Sequence, residues 1–113
     1  MTELSAPIDP LLVPVVKKLN AAGLDTIYSC QGNHHTDRLP NIAYICFAPG
    51  VQLPPKIKGA VAEFGWQLDK FHRGNEEEPC LAIYSVMSDF EFDASRLREC
   101  NDKFIEGWLK ILP

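Results

Sequence analysis

Side chains that can bind ligands or do chemistry concentrate in the turn 30–35, directly after a short apolar run. This turn supplies a thiol, two amides, a glycine and two imidazoles, from Cys30, Gln31, Gly32, Asn33, His34 and His35. Glycine permits a positive φ or the close approach of a ligand. Successive backbone N–H groups in such a turn can also bind an anion. The pattern therefore predicts a small-ligand or nucleotide/anion-binding site in the loop after the first strand.

The predicted ligand-binding residues come from this loop and from a second predicted strand end. They are Ser29, Gln31, Gly32, Asn33, Asp37, Arg38, His72 and Arg73. Under this hypothesis His34, His35 and Arg73 neutralise the anion, since a guanidinium donates two parallel hydrogen bonds to phosphate or carboxylate. The competing interpretation is a connecting loop with ordinary turn residues and a solvated His-Arg strand end.

A second hypothesis is a Cys/His enzyme. Cys30 becomes a nucleophile if His34 or His35 lowers the pKa of its thiol, because the thiolate is the reactive form. Either histidine is alternatively a general base. The competing interpretation is a half-buried cysteine at a strand end, which is a common place for a free thiol.

Zinc is a weaker alternative. Cys30, His34, His35 and Asp37, with His72, have suitable donor atoms. Their C-x3-H-H spacing lacks the paired ligands of a structural zinc site, so no metal is predicted, and the cofactor stays unknown.

A third hypothesis is a protein-interaction module, such as a phage-encoded inhibitor of a host factor. Its binding surface would be the acidic stretch Glu76–Glu78. The simpler interpretation of that stretch is a solvated hairpin tip, because three neighbouring carboxylates cannot all face inward.

Composition limits the remaining classes. The 113 residues suit one α/β domain, 1–113, and 46% hydrophobic content is enough to build a core. A net charge of −4 without a basic run disfavours non-specific nucleic-acid binding.

The N-terminal sequence has no signal-peptide pattern, no apolar run is long enough to span a bilayer, and the four cysteines form no CxxC pair. We therefore expect a cytoplasmic protein with reduced thiols. P-loop, dinucleotide-binding, HExxH and GxSxG motifs do not occur in the sequence.

Hydrophobic periodicity and turn residues predict seven elements. They are a helix from Asp9-Pro10 to Gly23, strands 26–30 and 42–48, a helix from Pro54-Pro55 to Gly65, strands 67–72 and 80–87, and a helix from Asp93 through Ile111. Pro14 should separate or kink the first helical turn, because proline removes a backbone donor. The apolar runs 42–48 and 80–87 are typical of central strands. We predict an α+β fold in the order α-β-β-α-β-β-α, with one mixed or antiparallel four-stranded sheet and the helices packed on one face.

The order suggests an internal repeat, since the succession of helix, glycine and strand recurs at an offset of 42 residues, from Gly23 to Gly65. The same offset carries Cys30 onto His72. If a pseudo-twofold relates the two halves, the loop after Cys30 could converge with His72 and Arg73.

The motif Leu19-Asn20, Thr26 and Ser29-Cys30-Gln31-Gly32 resembles two known sets of proteins. One is the tRNA wybutosine-synthesis methyltransferase family, in which a helix ending in Leu-Asn leads into a strand and a Ser-Cys-Ser-Gly-Arg turn. The other comprises small phage and bacterial proteins with a Ser-Cys-Glu/Gln-Gly-His turn, and it resembles this chain more closely, apart from the extra Asn33. The resemblance covers roughly residues 8–48. It implies a related α/β fold, a phage or prophage origin and a ligand site at the Cys30–Gly32 turn.

Overall fold

The computed structural model describes residues 10–30, 42–72, 74, 77–87 and 94–112. A 3-10 turn, Pro10–Leu12, precedes α1 (Val13–Ala21), β1 (Thr26–Cys30), β2 (Tyr44–Phe47), α2 (Pro55–Phe64), β3 (Gln67–Phe71), β4 (Cys80–Tyr84) and α3 (Ala94–Ile111). This order confirms the α+β fold predicted from hydrophobic periodicity. The predicted start of the last helix at Asp93 lies outside the described residues.

Proline and glycine set the helix boundaries. The first turn is separate from α1, as predicted, and Pro14 lies in the first turn of α1 where its missing N–H costs no intrahelical bond. Gly23 and Gly65 follow α1 and α2 with φ of +83° and +71°. Only a residue without Cβ adopts this conformation freely, and it turns the chain sharply from helix to strand.

The four strands form one antiparallel sheet in the order β1-β2-β4-β3. The two apolar strands β2 and β4 are central, as predicted. Each α-β-β half contributes one edge strand and one central strand. This arrangement is the one that a pseudo-twofold between β2 and β4 would produce.

All three helices pack on one face of the sheet. Alternate residues of a strand point to opposite faces. Ile45 and Phe47 of β2, with Ala43 directly before the strand, join the buried core with residues from the helices, and Ile83 joins it from β4. The opposite face carries Cys46 and its cross-strand partner Ala82. Residues from the helices complete the core: Leu12, Val15, Val16, Leu19, Ile57, Ala60, Phe104, Ile105 and Trp108.

Side-chain burial at the end of α2 and the bounds of three strands differ from the sequence-based expectation. The residues Ile57, Val61 and Phe64 have the spacing of one helical face, which predicts that all three are buried. Phe64 is instead 37% exposed, and Ala60 is buried. Phe64 lies at the last helical position and packs across Trp66, with ring centroids 5.1 Å apart. Strand β2 is Tyr44–Phe47 rather than 42–48, and β3 ends at Phe71 rather than 72. Strand β4 ends at Tyr84 rather than 87, and the chain bends at Ser85.

A buried asparagine joins α3 to the two central strands. Its side-chain oxygen, Asn101 Oδ1, accepts hydrogen bonds from the Ala43 amide at 2.9 Å and from Ser85 Oγ at 2.7 Å. The Ser85 amide in turn donates to the Ala43 carbonyl at 2.9 Å. These bonds satisfy buried polar groups where β2 begins and where the chain leaves β4.

Candidate functional site

Most of the predicted ligand-binding loop lies outside the described residues. This holds for Gln31, Gly32, Asn33, His34, His35, Asp37 and Arg38, and also for Arg73 and Glu76. Of the predicted site, Ser29 is a half-buried residue of β1 paired with Ile45, and His72 is exposed directly after β3. The backbone of Cys30 ends β1 opposite Tyr44.

The topology does not bring Cys30 and His72 together. Cross-strand pairs place Cys30, Tyr44, Tyr84 and Gln67 in one row across the sheet, so Cys30 is level with the start of β3. His72 follows the other end of β3, on the opposite edge strand. Strand spacings of about 4.8 Å and rises of about 3.3 Å per residue separate the two positions by roughly 20 Å. The pseudo-twofold therefore puts the ends of β1 and β3 at diagonally opposite corners, and the predicted convergence does not hold for these two residues.

Two thiols on the central strands are packed away from solvent. Cys46 and Cys80 are 5% and 0% exposed, and neither forms a disulfide. Burial, with a smaller contribution from neighbouring Cys80, raises the pKa of the Cys46 thiol to about 11. At neutral pH only about one Cys46 in ten thousand is a thiolate, so it behaves as a small hydrophobic residue.

We expect iodoacetamide at pH 7 to leave Cys46 and Cys80 unmodified in the native protein and to label both in denaturant. Alkylation of native Cys46 should begin only as the pH approaches 11, because thiolate forms there. Peptide mass spectrometry after timed labelling measures each thiol separately. The two buried thiols are thus internal references for the Cys30 hypothesis, which requires Cys30 to react much faster than the others. Equal labelling of all four cysteines in the native protein would contradict both the protection of the two buried thiols and the high reactivity that the Cys30 hypothesis requires.

A groove of about 450 Å³ opens beside the free edge of β3, on the helix-bearing face of the sheet. Its walls are the chain between β2 and α2, one residue of α2, alternate residues of β3, and the start of β4. The lining residues are Gly50, Val51, Gln52, Leu53, Lys58, Leu68, Lys70, Glu78, Pro79 and Leu81. A concave site of this size suits a small molecule.

The register explains the apolar floor of the groove. Leu68 pairs with Ile83, and Lys70 pairs with Leu81, so these β3 side chains share the face on which the helices pack. Leu68 is 37% exposed although it is apolar. The side chains of Val51 and Leu53 extend the same apolar surface below the sheet.

Two lysines border this apolar surface, and neither makes an ion pair with another described residue. Lys58 projects from α2 and Lys70 from β3, and both are exposed. The described residues show an ion pair between Lys103 and Glu99, but none at Lys58 or Lys70. The two ammonium groups are therefore available to an anion that enters the groove.

The third charged residue of the groove, Glu78, lies against the tight turn at Gly50. The Gly50 amide donates to the Pro79 carbonyl at 3.3 Å, which ties the turn before α2 to the start of β4. Gly50 has φ +81°, and a Cβ at this position would overlap the carboxylate of Glu78. Glycine is thus required by the backbone conformation, and its missing Cβ leaves room for the Glu78 carboxylate.

Sequence reasoning did not identify this groove, because its residues come from four separate segments. Pattern analysis placed Glu78 in a solvated hairpin tip, and Glu77 and Glu78 are indeed exposed. The available signal was that Leu68 and Lys70 lie two residues apart in β3 and so share one face of the strand. That spacing does not show which other elements line the same face. Within the described ranges, no group of three or more His, Cys, Asp or Glu residues could hold a metal ion.

Comparisons with protein-family models, with curated proteins and with solved structures found no match to this chain. The resemblance of the Ser29–Gly32 motif stays an expectation. None of the described helices is both long enough and apolar enough to cross a membrane.

Proposed function

We propose that this protein is a small-molecule-binding domain that takes an anionic ligand with an apolar body in the groove beside β3. The observation that carries the proposal is the pair of lysines, Lys58 and Lys70, which make no ion pair with another described residue and lie beside an apolar floor in a concavity of about 450 Å³. Apolar lining with a few convergent polar groups is the usual composition of a ligand site.

The apolar floor and the lysines have separate roles in this proposal. Contact with Leu68, Leu81 and Val51 removes apolar ligand surface from water, which supplies most of the affinity. The ammonium groups orient the anion and select against an uncharged analogue. Because the chain carries a net charge of −4, attraction of an anion depends on these local charges and not on the overall field.

The proposal keeps the class predicted from the sequence, a small-ligand or anion-binding domain, and gives it a second location. The described residues support the groove. The loop after β1, with its glycine and histidines, stays a predicted binding element, and the Cys30 enzyme stays a hypothesis tested by thiol labelling.

The aromatic carboxylate 3-phenylpropanoate is the test ligand. With about eleven non-hydrogen atoms at roughly 0.3 kcal/mol each, it should bind with a Kd in the millimolar range. Titration followed by ¹⁵N–¹H NMR should shift the amide signals of residues that line the groove. The double substitution Lys58→Gln with Lys70→Gln should weaken binding about fivefold, since exposed ion pairs are each worth up to about 1 kcal/mol.

Two controls separate this effect from a general loss of positive charge. The double variant Lys17→Gln with Lys110→Gln makes the same change in net charge at exposed positions outside the groove and should bind as the wild type does. The uncharged amide 3-phenylpropanamide should bind both double variants equally. The proposal fails if no groove signal shifts, or if the control double variant loses as much affinity as the groove variant.

A further inference from the structure

The groove contains one negative charge as well as two positive charges. The carboxylate of Glu78 packs on the Gly50 turn, while Lys58 and Lys70 approach from α2 and β3. None of the three makes an ion pair within the part of the chain that the structure describes. All three charged side chains therefore line the same groove.

A ligand whose only charge is negative satisfies the two lysines of the groove but not Glu78. Its carboxylate would be attracted by the lysines and repelled by Glu78, and no ligand group would compensate the Glu78 carboxylate. A group that opposes the wrong ligand is a common source of specificity. A ligand with both charges and an apolar body would satisfy every feature of the groove.

We infer that the ligand is a zwitterion of the amino-acid type with a large apolar side chain, an inference that rests on the proposed function of the groove. Its ammonium group donates to the Glu78 carboxylate, and its carboxylate accepts from Lys58 and Lys70. Its side chain lies on Leu68 and Leu81. Glu78 is thus the residue that distinguishes this ligand from a simple carboxylate.

Three probes of matched shape isolate each charge. Phenylalanine carries both groups, 3-phenylpropanoate lacks the ammonium, and 2-phenylethylamine lacks the carboxylate. We expect the wild type to bind phenylalanine about fivefold more tightly than either of the others, measured by NMR titration at low ionic strength. In the variant Glu78→Gln, the preference for phenylalanine over 3-phenylpropanoate should disappear, and 3-phenylpropanoate should bind at least as tightly as before.

The neighbouring residue is the matched control. Glu77 is exposed but does not line the groove, so Glu77→Gln removes the same charge and should keep the preference for phenylalanine. If the wild type binds 3-phenylpropanoate as tightly as phenylalanine, and the lysine double variant weakens both, the zwitterion inference is overturned while the proposed function stands. If Glu77→Gln abolishes the preference as fully as Glu78→Gln does, the assignment of Glu78 is wrong. If none of the three probes shifts a groove signal, both proposals are overturned.

Discussion

Replacing Gly107 with alanine is expected to lower the free energy of unfolding by about 2 kcal/mol, although alanine favours helix by about 1 kcal/mol over glycine. A Cβ at Gly107 would lie 2.9 Å from Cζ2 of Trp66 and 3.5 Å from Cδ2 of Phe64. The Trp66 ring cannot readily move aside, because it stacks on Trp108 at 5.1 Å and meets the edge of Phe104 at 4.9 Å. Equilibrium unfolding in urea, monitored by tryptophan fluorescence, measures the loss.

A second helical glycine is the matched control. Nothing lies within 4 Å of a Cβ built at Gly59, which is exposed in α2. The same change, Gly59→Ala, should therefore raise the free energy of unfolding by roughly 0.5–1 kcal/mol. The two substitutions differ only in their surroundings, so opposite signs are the expected result. Stabilisation by both would contradict the close packing of α3 on Trp66.

Replacing Asn101 with leucine is expected to lower the free energy of unfolding by about 3 kcal/mol. The leucine side chain is similar in size but accepts no hydrogen bond, so the Ala43 amide and the Ser85 hydroxyl lose their acceptor. Both groups are buried, and each unsatisfied donor costs about 1–3 kcal/mol. The measurement is again urea unfolding, with the midpoint compared at constant slope.

Two further variants test the cause of this loss. Ser85→Ala should cost less in the Asn101→Leu background than in the wild type, by about 1 kcal/mol, since the hydroxyl has already lost its partner. The exposed neighbour Asp102 gives the surface control, and Asp102→Leu should change stability by less than about 0.5 kcal/mol. Additive effects of Ser85→Ala and Asn101→Leu would show that the bond between them contributes nothing measurable.

Local features of the chain were predictable because they depend on neighbours in sequence. Pro14 separates the first turn from α1, and Gly65 ends α2 in the left-handed conformation. The apolar character of 42–48 and 80–87 correctly predicted the two central strands. An error appeared at the end of an element. Phe64 has the helical spacing of a core residue, but it lies at the end of α2 and packs across Trp66 from outside.

The candidate site was less predictable than the fold. The turn after Cys30 stood out because its reactive side chains are adjacent in sequence, and most of it lies outside the described residues. The groove residues Lys58, Lys70 and Glu78 are each unremarkable in sequence. They line one groove because the tertiary structure brings α2, β3 and the segment before β4 to its walls, and because Gly50 leaves room for the Glu78 carboxylate.

For this protein, the order of residues by itself determined three helices, four strands and an α+β fold, since periodicity, proline and glycine act over one or two turns of chain. The sequence left a mixed or an antiparallel sheet open, and the tertiary structure decided that all strand pairs are antiparallel. Only the tertiary structure decided the strand order β1-β2-β4-β3, the separation of Cys30 from His72 and the assembly of the groove. The physical reason is that strand order and groove walls depend on which apolar faces bury one another, and that choice joins segments that are far apart in the chain.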